Sequence, residues 1–245
     1  MNHFKSWLLA ATVAATLNAS AQSGWVDLFN GTNFAGWQSP RSQAIPTQSW
    51  KIEQGILKVT GHGNAEAQSG GDIITTKQYA NFELTAEFQI TPGANSGIKI
   101  FVQPNISPVD KVTGKPTGKG SAIGLEFQIL DDERHPDAKL GHNGDRRLGS
   151  LYDLIPAPTN KVVHPVGEWN QMRILSRGKH VEFWLNGSLT VQFERGSAAF
   201  REAVAASKFK NIPDFGEWQE GHILLQEHGS DVAFRNIKLR ELSAQ

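Results

Sequence analysis

Two stretches of strict alternation constrain this chain more than any other feature. Asn81 to Ile90, NFELTAEFQI, sets Phe82, Leu84, Ala86, Phe88 and Ile90 against Glu83, Thr85, Glu87 and Gln89. A period of two is that of a strand with one face buried and one face wet. Gly124 to Leu130, GLEFQIL, repeats the pattern, with Leu125, Phe127 and Ile129 on one side and Glu126 and Gln128 on the other. Such strands cannot stand alone, because each needs a second layer to cover its apolar face.

The rest of the chain supplies that layer. Ser49 to Gly61, SWKIEQGILKVTG, reads as a hairpin turning at Glu53-Gln54-Gly55, and Ser96 to Val102 as a further apolar strand. Trp169–Ser176, His180–Leu185 and Leu189–Phe193 form a meander. It turns at Ser176-Arg177-Gly178 and at Asn186-Gly187, and Asn-Gly is the strongest short hairpin signal. His222–His228 and Val232–Glu241 close the chain as a last strand pair. About ten to twelve strands in one chain predict a sandwich or barrel. Only Ser197 to Phe209 reads as helix, with Ser197 as N-cap and Phe200, Ala203 and Val204 on one face. The long loops fall at Pro104–Lys119 and Asp131–Leu148, and loops of that length are usually functional or mobile.

The first residues read as a leader. Lys5 gives a positive start, Trp7 to Leu17 is an apolar run, and Ala19-Ser20-Ala21 offers small residues for cleavage. That is the layout of a secretory signal peptide, and the run is too short for a membrane anchor, which takes about 20 residues. Residues 1–21 are therefore expected to be a signal peptide and residues 22–245 one domain, exported to a periplasm or beyond. The absence of cysteine excludes disulfides, thiolate nucleophiles, Cys-ligated zinc and iron–sulfur clusters. With 24 basic and 24 acidic side chains and no basic run, nucleic acid is not an expected partner.

Alternation also sorts candidate functional residues. Glu126 and Gln128 point to an outer face. In HILLQEH, Gln226 and His228 bear the same relation to Ile223 and Leu225. Two strands that each present a polar pair are compatible with one site or with ordinary wet surface.

Taken in order, eight segments carry a resemblance. They are GWVDLFNGTNFAGW (24–37), SWKIEQGILKV (49–59), DIITTKQYANFELTAEFQITPGANSGI (72–98), GLEFQILDDERHPDA (124–138), GSLYDLIP (149–156), GEWNQMRI (167–174), HVEFWLNG (180–187) and GHILLQEHGSDVAFRNIKLREL (221–242). Together they resemble the 3-keto-disaccharide hydrolase domain family over nearly the whole length after the leader. The resemblance implies an all-β fold, a concanavalin A-like jelly-roll β-sandwich with a sugar-facing sheet. It also implies cleavage of glycosides whose sugar is already oxidised to a ketone at C3.

The chemistry of such a substrate sets what the protein must provide. Ordinary glycosidases place two carboxylates across an oxocarbenium-like transition state. A 3-ketone instead acidifies the C2 proton, so a base can form an enolate, the aglycone leaves C1 by β-elimination, and water adds back. The requirements are a base, a stabiliser of the enolate oxygen and an acid for the leaving group. Glu126 and His228 are candidates for the base, with His135 in DDERHPD and Tyr152 in GSLYDL as further catalytic candidates. Asn95, Gln128 and Gln226 are placed to bind sugar hydroxyls, Arg147 to grip a ketone or hydroxyl, and Trp184 to stack on a sugar ring if it faces the groove. Asp131 and Asp132 read as turn formers. The resemblance implies that relatives often have His before the Trp of the WLNG hairpin, where this chain has Phe183.

A divalent metal ion could replace hydrogen-bond donors at the enolate oxygen. No His-x-His or His-x-x-x-His spacing occurs, so Glu126, His135 and His228 could hold a metal only by converging in space. No dinucleotide fingerprint, Walker loop or Gly-x-Ser-x-Gly elbow occurs. The 3-ketone would then come from a separate sugar 3-oxidoreductase. The alternative is a lectin-like carbohydrate-binding domain of the same fold without chemistry, since this sandwich hosts both roles. The titratable residues favour the enzyme. An ordinary endoglucanase of this fold would carry a Glu-x-Asp-x-x-Glu strand, and GLEFQILDD has Gln at its second carboxylate position.

Overall fold

The computed structural model describes residues 24–61, 71–106, 113, 115 and 120–243. The expected signal peptide and most of the expected 104–119 loop lie outside them. Among the described residues thirteen strands and one α-helix, with a short 3-10 turn at Pro136–Lys139, follow in order: β1 (Val26–Asp27), β2 (Trp37–Gln38), β3 (Trp50–Glu53), β4 (Ile56–Val59), β5 (Ile73–Thr75), β6 (Phe82–Ile90), β7 (Asn95–Gln103), β8 (Ile123–Leu130), β9 (Asn170–Arg177), β10 (His180–Leu185), β11 (Ser188–Glu194), α1 (Ala198–Ala206), β12 (His222–Leu225) and β13 (Val232–Glu241). They form two antiparallel sheets. One runs β11-β10-β9-β6-β13-β4-β3, with β1 paired to β13, and the other runs β2-β5-β12-β7-β8. This is the jelly-roll sandwich expected. In both sheets a strand from the chain's end is inserted between earlier ones, β13 between β6 and β4 and β12 between β5 and β7.

Local chemistry explains the elements. Gln54 and Gly55 both take positive φ, 52° and 78°, as do Asn186 and Gly187, at 47° and 78°. Two consecutive left-handed residues make the turn whose twist matches a hairpin. Ser197 caps α1 through its hydroxyl, which accepts from the Phe200 N–H at 3.2 Å. The helix ends at Ala206, three residues before the expected Phe209. Ser207 is extended there (φ −93°, ψ 176°), and its hydroxyl accepts instead from the Phe209 N–H at 3.0 Å.

The core lies between the sheets. Phe82, Leu84, Phe88 from β6, Leu125, Phe127, Ile129 from β8, and Phe183 from β10 are all fully buried. Phe127 and Phe183 meet across the sandwich at 5.4 Å between centroids. Each such side chain contributes about 1.5–3 kcal/mol by leaving water. The other face of the larger sheet carries charge in cross-strand registers. Glu83 accepts from Arg173 and Arg240, and Glu87 from Arg235 at 2.7 Å.

The smaller sheet departs from the one-face-wet pattern. Every residue of β8, and all of β7 except Gln103, is buried on both faces. The stretch from Asp131 to Leu154 is one cause. Its residues 149–152 run antiparallel along the free edge of β8: Gly149 N–H donates to Gln128 O at 2.9 Å, and Tyr152 N–H to Glu126 O at 3.0 Å. This covers an edge that would otherwise pair with a neighbour.

Candidate active site

Rows across the smaller sheet place the polar candidates together. One row crosses Tyr152, Glu126 on β8, Lys99 on β7 and Leu224 on β12. The next crosses Ser150, Gln128, Gly97 and Gln226, whose N–H donates to Gly97 O at 2.9 Å. Neighbouring strands are about 4.8 Å apart, so these side chains are in mutual reach. Gly97 leaves a gap in the middle, and the Glu126 carboxylate leans into it. A Cβ at Gly97 would stand 2.9 Å from both Cγ and Cδ of Glu126 and closer still to Oε1.

Glu126 is only 6% exposed, yet it is not a wet outer residue or an isolated charge. Its Oε2 lies 3.5 Å from Lys99 Nζ. That ammonium also donates to Ser121 Oγ at 2.6 Å and to Ala122 O at 3.1 Å. A buried carboxylate needs such a partner to stay charged. Gln128 and Gln226 are 1% and 5% exposed. Gln128 Nε2 donates to Asn95 Oδ1 and to Arg146 O, both at 3.4 Å. The side-chain oxygens of Gln128 and Gln226 have no hydrogen-bond partner among the described residues. Buried acceptors left open are costly, about 1–3 kcal/mol each, and a hydroxyl-rich ligand would satisfy them.

The wall beside this floor is built on Arg146. Its Nε donates to Asp153 Oδ1 at 2.6 Å and its Nη1 to Asp137 Oδ1 at 2.8 Å. The Tyr152 hydroxyl donates to the other Asp137 oxygen at 2.8 Å. Burial, reinforced by Glu126 and Asp137, pushes the Tyr152 pKa far up, so the phenol keeps its proton and that proton is committed. Asp153 in turn accepts from the Lys208 N–H at 2.8 Å. The Lys208 ammonium stands 4.2 Å from the centre of the Tyr152 ring. The side chain is exposed to water, but the protein around it strips hydration from the ammonium and lowers its pKa to about 8, against the pull of Glu126.

His135 and His228 meet edge to face, with ring centroids 6.5 Å apart. The His135 Nδ1 accepts from the Asp137 N–H at 3.2 Å, which leaves the proton on Nε2. Burial and the neighbouring His228 hold the His135 pKa below its ordinary value despite Asp137 and Asp131. His135 is thus a neutral donor near pH 7. Asp131 is a turn former as expected, accepting from the N–H groups of Gly93, Glu133 and Arg134.

Two expected substrate-binding residues are not brought to this cluster. Trp184 belongs to the larger sheet, where its core-facing neighbours are Phe183 and Leu185, so its ring lies on that sheet's outer face. There its Nε1 donates to Glu182 at 2.8 Å and Arg173 covers the ring at 5.1 Å. Arg147 is exposed and turns to Ala138 O at 3.4 Å, while Arg146 is the arginine of the wall. Phe183 is fully buried in the core. Five charged residues of the cluster are not singled out from sequence: Lys99, Asp137, Arg146, Asp153 and Lys208. Lys99 could have been found, since it shares its parity on β7 with Asn95 and Gly97. Arg146 and Lys208 sit in irregular segments that carry no periodic signal.

Among the described residues no group of three His, Asp or Glu side chains could hold a metal ion. Glu126 faces the cations Lys99 and Lys208, and His135 has spent Nδ1. A separate recess beside Lys179 and Arg195 shares none of these residues. Arg195 there donates to the carbonyls of Gly216, Trp218 and Gly178, fastening the 216–218 stretch to the turn at 178, and burial lowers its pKa to about 10. Among the described residues no helix is long and apolar enough to cross a membrane.

Comparison with known proteins agrees with the fold and extends it. A crystal structure described as a candidate glycosyl hydrolase, from Parabacteroides distasonis, superposes with a TM-score of 0.72 at 30% identity, covering 90% of this chain and 94% of that one. A second from the same species gives 0.61 at 25% identity, covering 89% and 100%. The protein named 3-keto-disaccharide hydrolase in Bacteroides thetaiotaomicron is 35% identical over 232 residues, which span 89% of this chain and 79% of that protein. The profile of the 3-keto-alpha-glucoside-1,2-lyase-like domain matches residues 24–240. The chain therefore belongs to the 3-keto-alpha-glucoside-1,2-lyase-like domain family.

Proposed function

We propose that this protein is an exported enzyme that cleaves the glycosidic bond of 3-keto-glycosides, among them 3-keto-disaccharides. The observation that carries this reading is the setting of Glu126. It is a buried carboxylate among cations and amides that is not held by an arginine, whereas the neighbouring acids Asp137 and Asp153 are both tied to Arg146. That is a poor arrangement for the two-carboxylate route but a good one for removing an acidified C–H proton. Glu126 takes the C2 proton, and the electron pair moves to the C3 oxygen. The enolate then collapses, C1=C2 forms, and the C1–O bond breaks with the pair leaving on the aglycone oxygen. Water adds at C1 and a proton returns to C2. His135, with its proton on Nε2, is the donor for the leaving oxygen, and the open oxygens of Gln128 and Gln226 accept from sugar hydroxyls.

The ketone is supplied by a separate oxidoreductase acting on the same sugar. The leader-like start of the chain supports export. The test is mass-spectrometric product analysis in heavy-hydrogen and heavy-oxygen water, with a glucoside and its 3-keto derivative as substrates. Cleavage of the keto substrate alone, with deuterium at C2 and loss of both in Glu126→Gln, is expected. Cleavage of the unoxidised glucoside at a similar rate, or keto cleavage without label at C2, would overturn the reading. Binding of either sugar without cleavage would point instead to a lectin-like role.

A further inference from the structure

We propose that the Lys208 ammonium is a catalytic residue of this site, the cation that receives the negative charge as the 3-keto oxygen becomes an enolate. The inference rests on the function proposed above. The geometry that carries it begins with the backbone. Lys208 follows the end of α1, and its N–H is fixed by Asp153 Oδ2 at 2.8 Å. Ser207 before it caps the helix, its hydroxyl donating to Val204 O at 2.8 Å. Phe209 after it stacks on Phe215 with centroids 4.1 Å apart. The lysine therefore stands on a fixed platform, not on a free loop.

The ammonium itself is unspent. It lies over the Tyr152 ring at 4.2 Å and 5.2 Å from the Phe209 ring, with no hydrogen bond or ion pair among the described residues. The other cations here are occupied. Lys99 is held by Ser121, Ala122 and Glu126, and Arg146 by Asp137 and Asp153. A base at C2 and a cation at the C3 oxygen act on adjacent carbons, so they must flank one point. Lys208 is the cation that Glu126 attracts across the site without bonding it. A hydrogen bond from a fixed cation to developing negative charge is the largest single term in many such reactions. No bond to Lys208 forms and its proton stays on nitrogen; it stabilises the enolate until the C3=O bond reforms.

The charged groups facing Lys208 are Glu126 and Asp153, which favour the ammonium, and Lys99 and Arg146, which oppose it, with Tyr152 neutral beneath. With the ordinary lysine value displaced to about 8, the charged form is lost above that pH. The test uses the full-length mature protein and a 3-keto-glucoside with a chromogenic aglycone. Wild type should show kcat falling on an alkaline limb near pH 8. Lys208→Met should lower kcat by about 10²–10³-fold, and thermal unfolding should remain cooperative. Lys208→Arg should recover part of that loss and move the alkaline limb to higher pH. A Lys208→Met enzyme with unchanged kcat, or a limb that stays near pH 8 in Lys208→Arg, overturns the inference while leaving the proposed function standing. Failure of wild type to act on the keto substrate overturns both.

Discussion

Replacing Gly97 by alanine is the sharpest probe of how the floor of the site is built. The added Cβ would sit 2.9 Å from Glu126 Cγ and Cδ, and nearer still to Oε1. Ordinary contact begins near 3.4 Å, so the carboxylate must retreat by about 1 Å. Misplacing a reacting group by that much costs on the order of 10²-fold in rate. The clash is with the movable end of a side chain, so the stability cost should stay within about 1–3 kcal/mol, the range for modest overpacking. The assay is kcat on a 3-keto-glucoside beside thermal unfolding, for Gly97→Ala, Glu126→Gln and the double variant. If the alanine acts by moving Glu126, it has nothing left to damage once Glu126 is gone. The double variant should then be as slow as Glu126→Gln alone. Losses that multiply in the double variant would mean that Gly97 acts on something else, such as the approach of the sugar, and would refute the reasoning.

The other predictions concern the wall and the far face. Tyr152→Phe should lose about 1 kcal/mol, because it deletes one hydrogen bond to Asp137, but should keep kcat within about tenfold; a loss above a thousandfold in steady-state kinetics would make the phenol the acid instead. Glu83, on the far face, is opposed by burial, but hydrogen bonds from Arg173 and Arg240 outweigh it and hold its pKa below the ordinary 4.5. A folded pKa below the unfolded one gives stability that is present above pH 4.5 and lost as pH falls through the folded value. Glu83→Gln should therefore destabilise by about 1–3 kcal/mol in urea at pH 7, and the difference from wild type should shrink below pH 4; a difference independent of pH would contradict the assignment.

Alternation revealed which side of a strand a residue takes, and it did so correctly for Glu126, Gln128 and Gln226. It does not reveal which sheet the strand joins. Trp184 has the parity of an outer residue, as Glu126 does, but β10 is in the larger sheet and the ring lies on the opposite outer face of the sandwich. Parity is a local property of the backbone, while sheet membership is settled by contacts distant in sequence. The same distinction explains the missed residues. Arg146 and Lys208 reach the site through Asp153, which bonds both, and no spacing rule joins positions 146, 153 and 208. Ser197, Gln54-Gly55 and Asn186-Gly187 were legible because capping and tight turns depend only on near neighbours. The burial of Glu126 was not, because an outer face is wet only until a loop is laid beside it.

The placement of β12 and β13 has a consequence for how the chain comes into being. No stretch of this protein that stops short of residue 222 contains the strand that joins the two parts of either sheet. As the chain emerges during synthesis, β5 and β7 wait for a partner more than a hundred residues away, and so do β4 and β6. Pairings of such long range form late, since loop closure must precede any reward. A nascent chain of this design stays open until its last strands arrive, and the interval before closure is the one in which the leader read in Met1–Ala21 would have to be engaged. The site would then be assembled last, because Gln226 and His228 come with the strand that completes its floor.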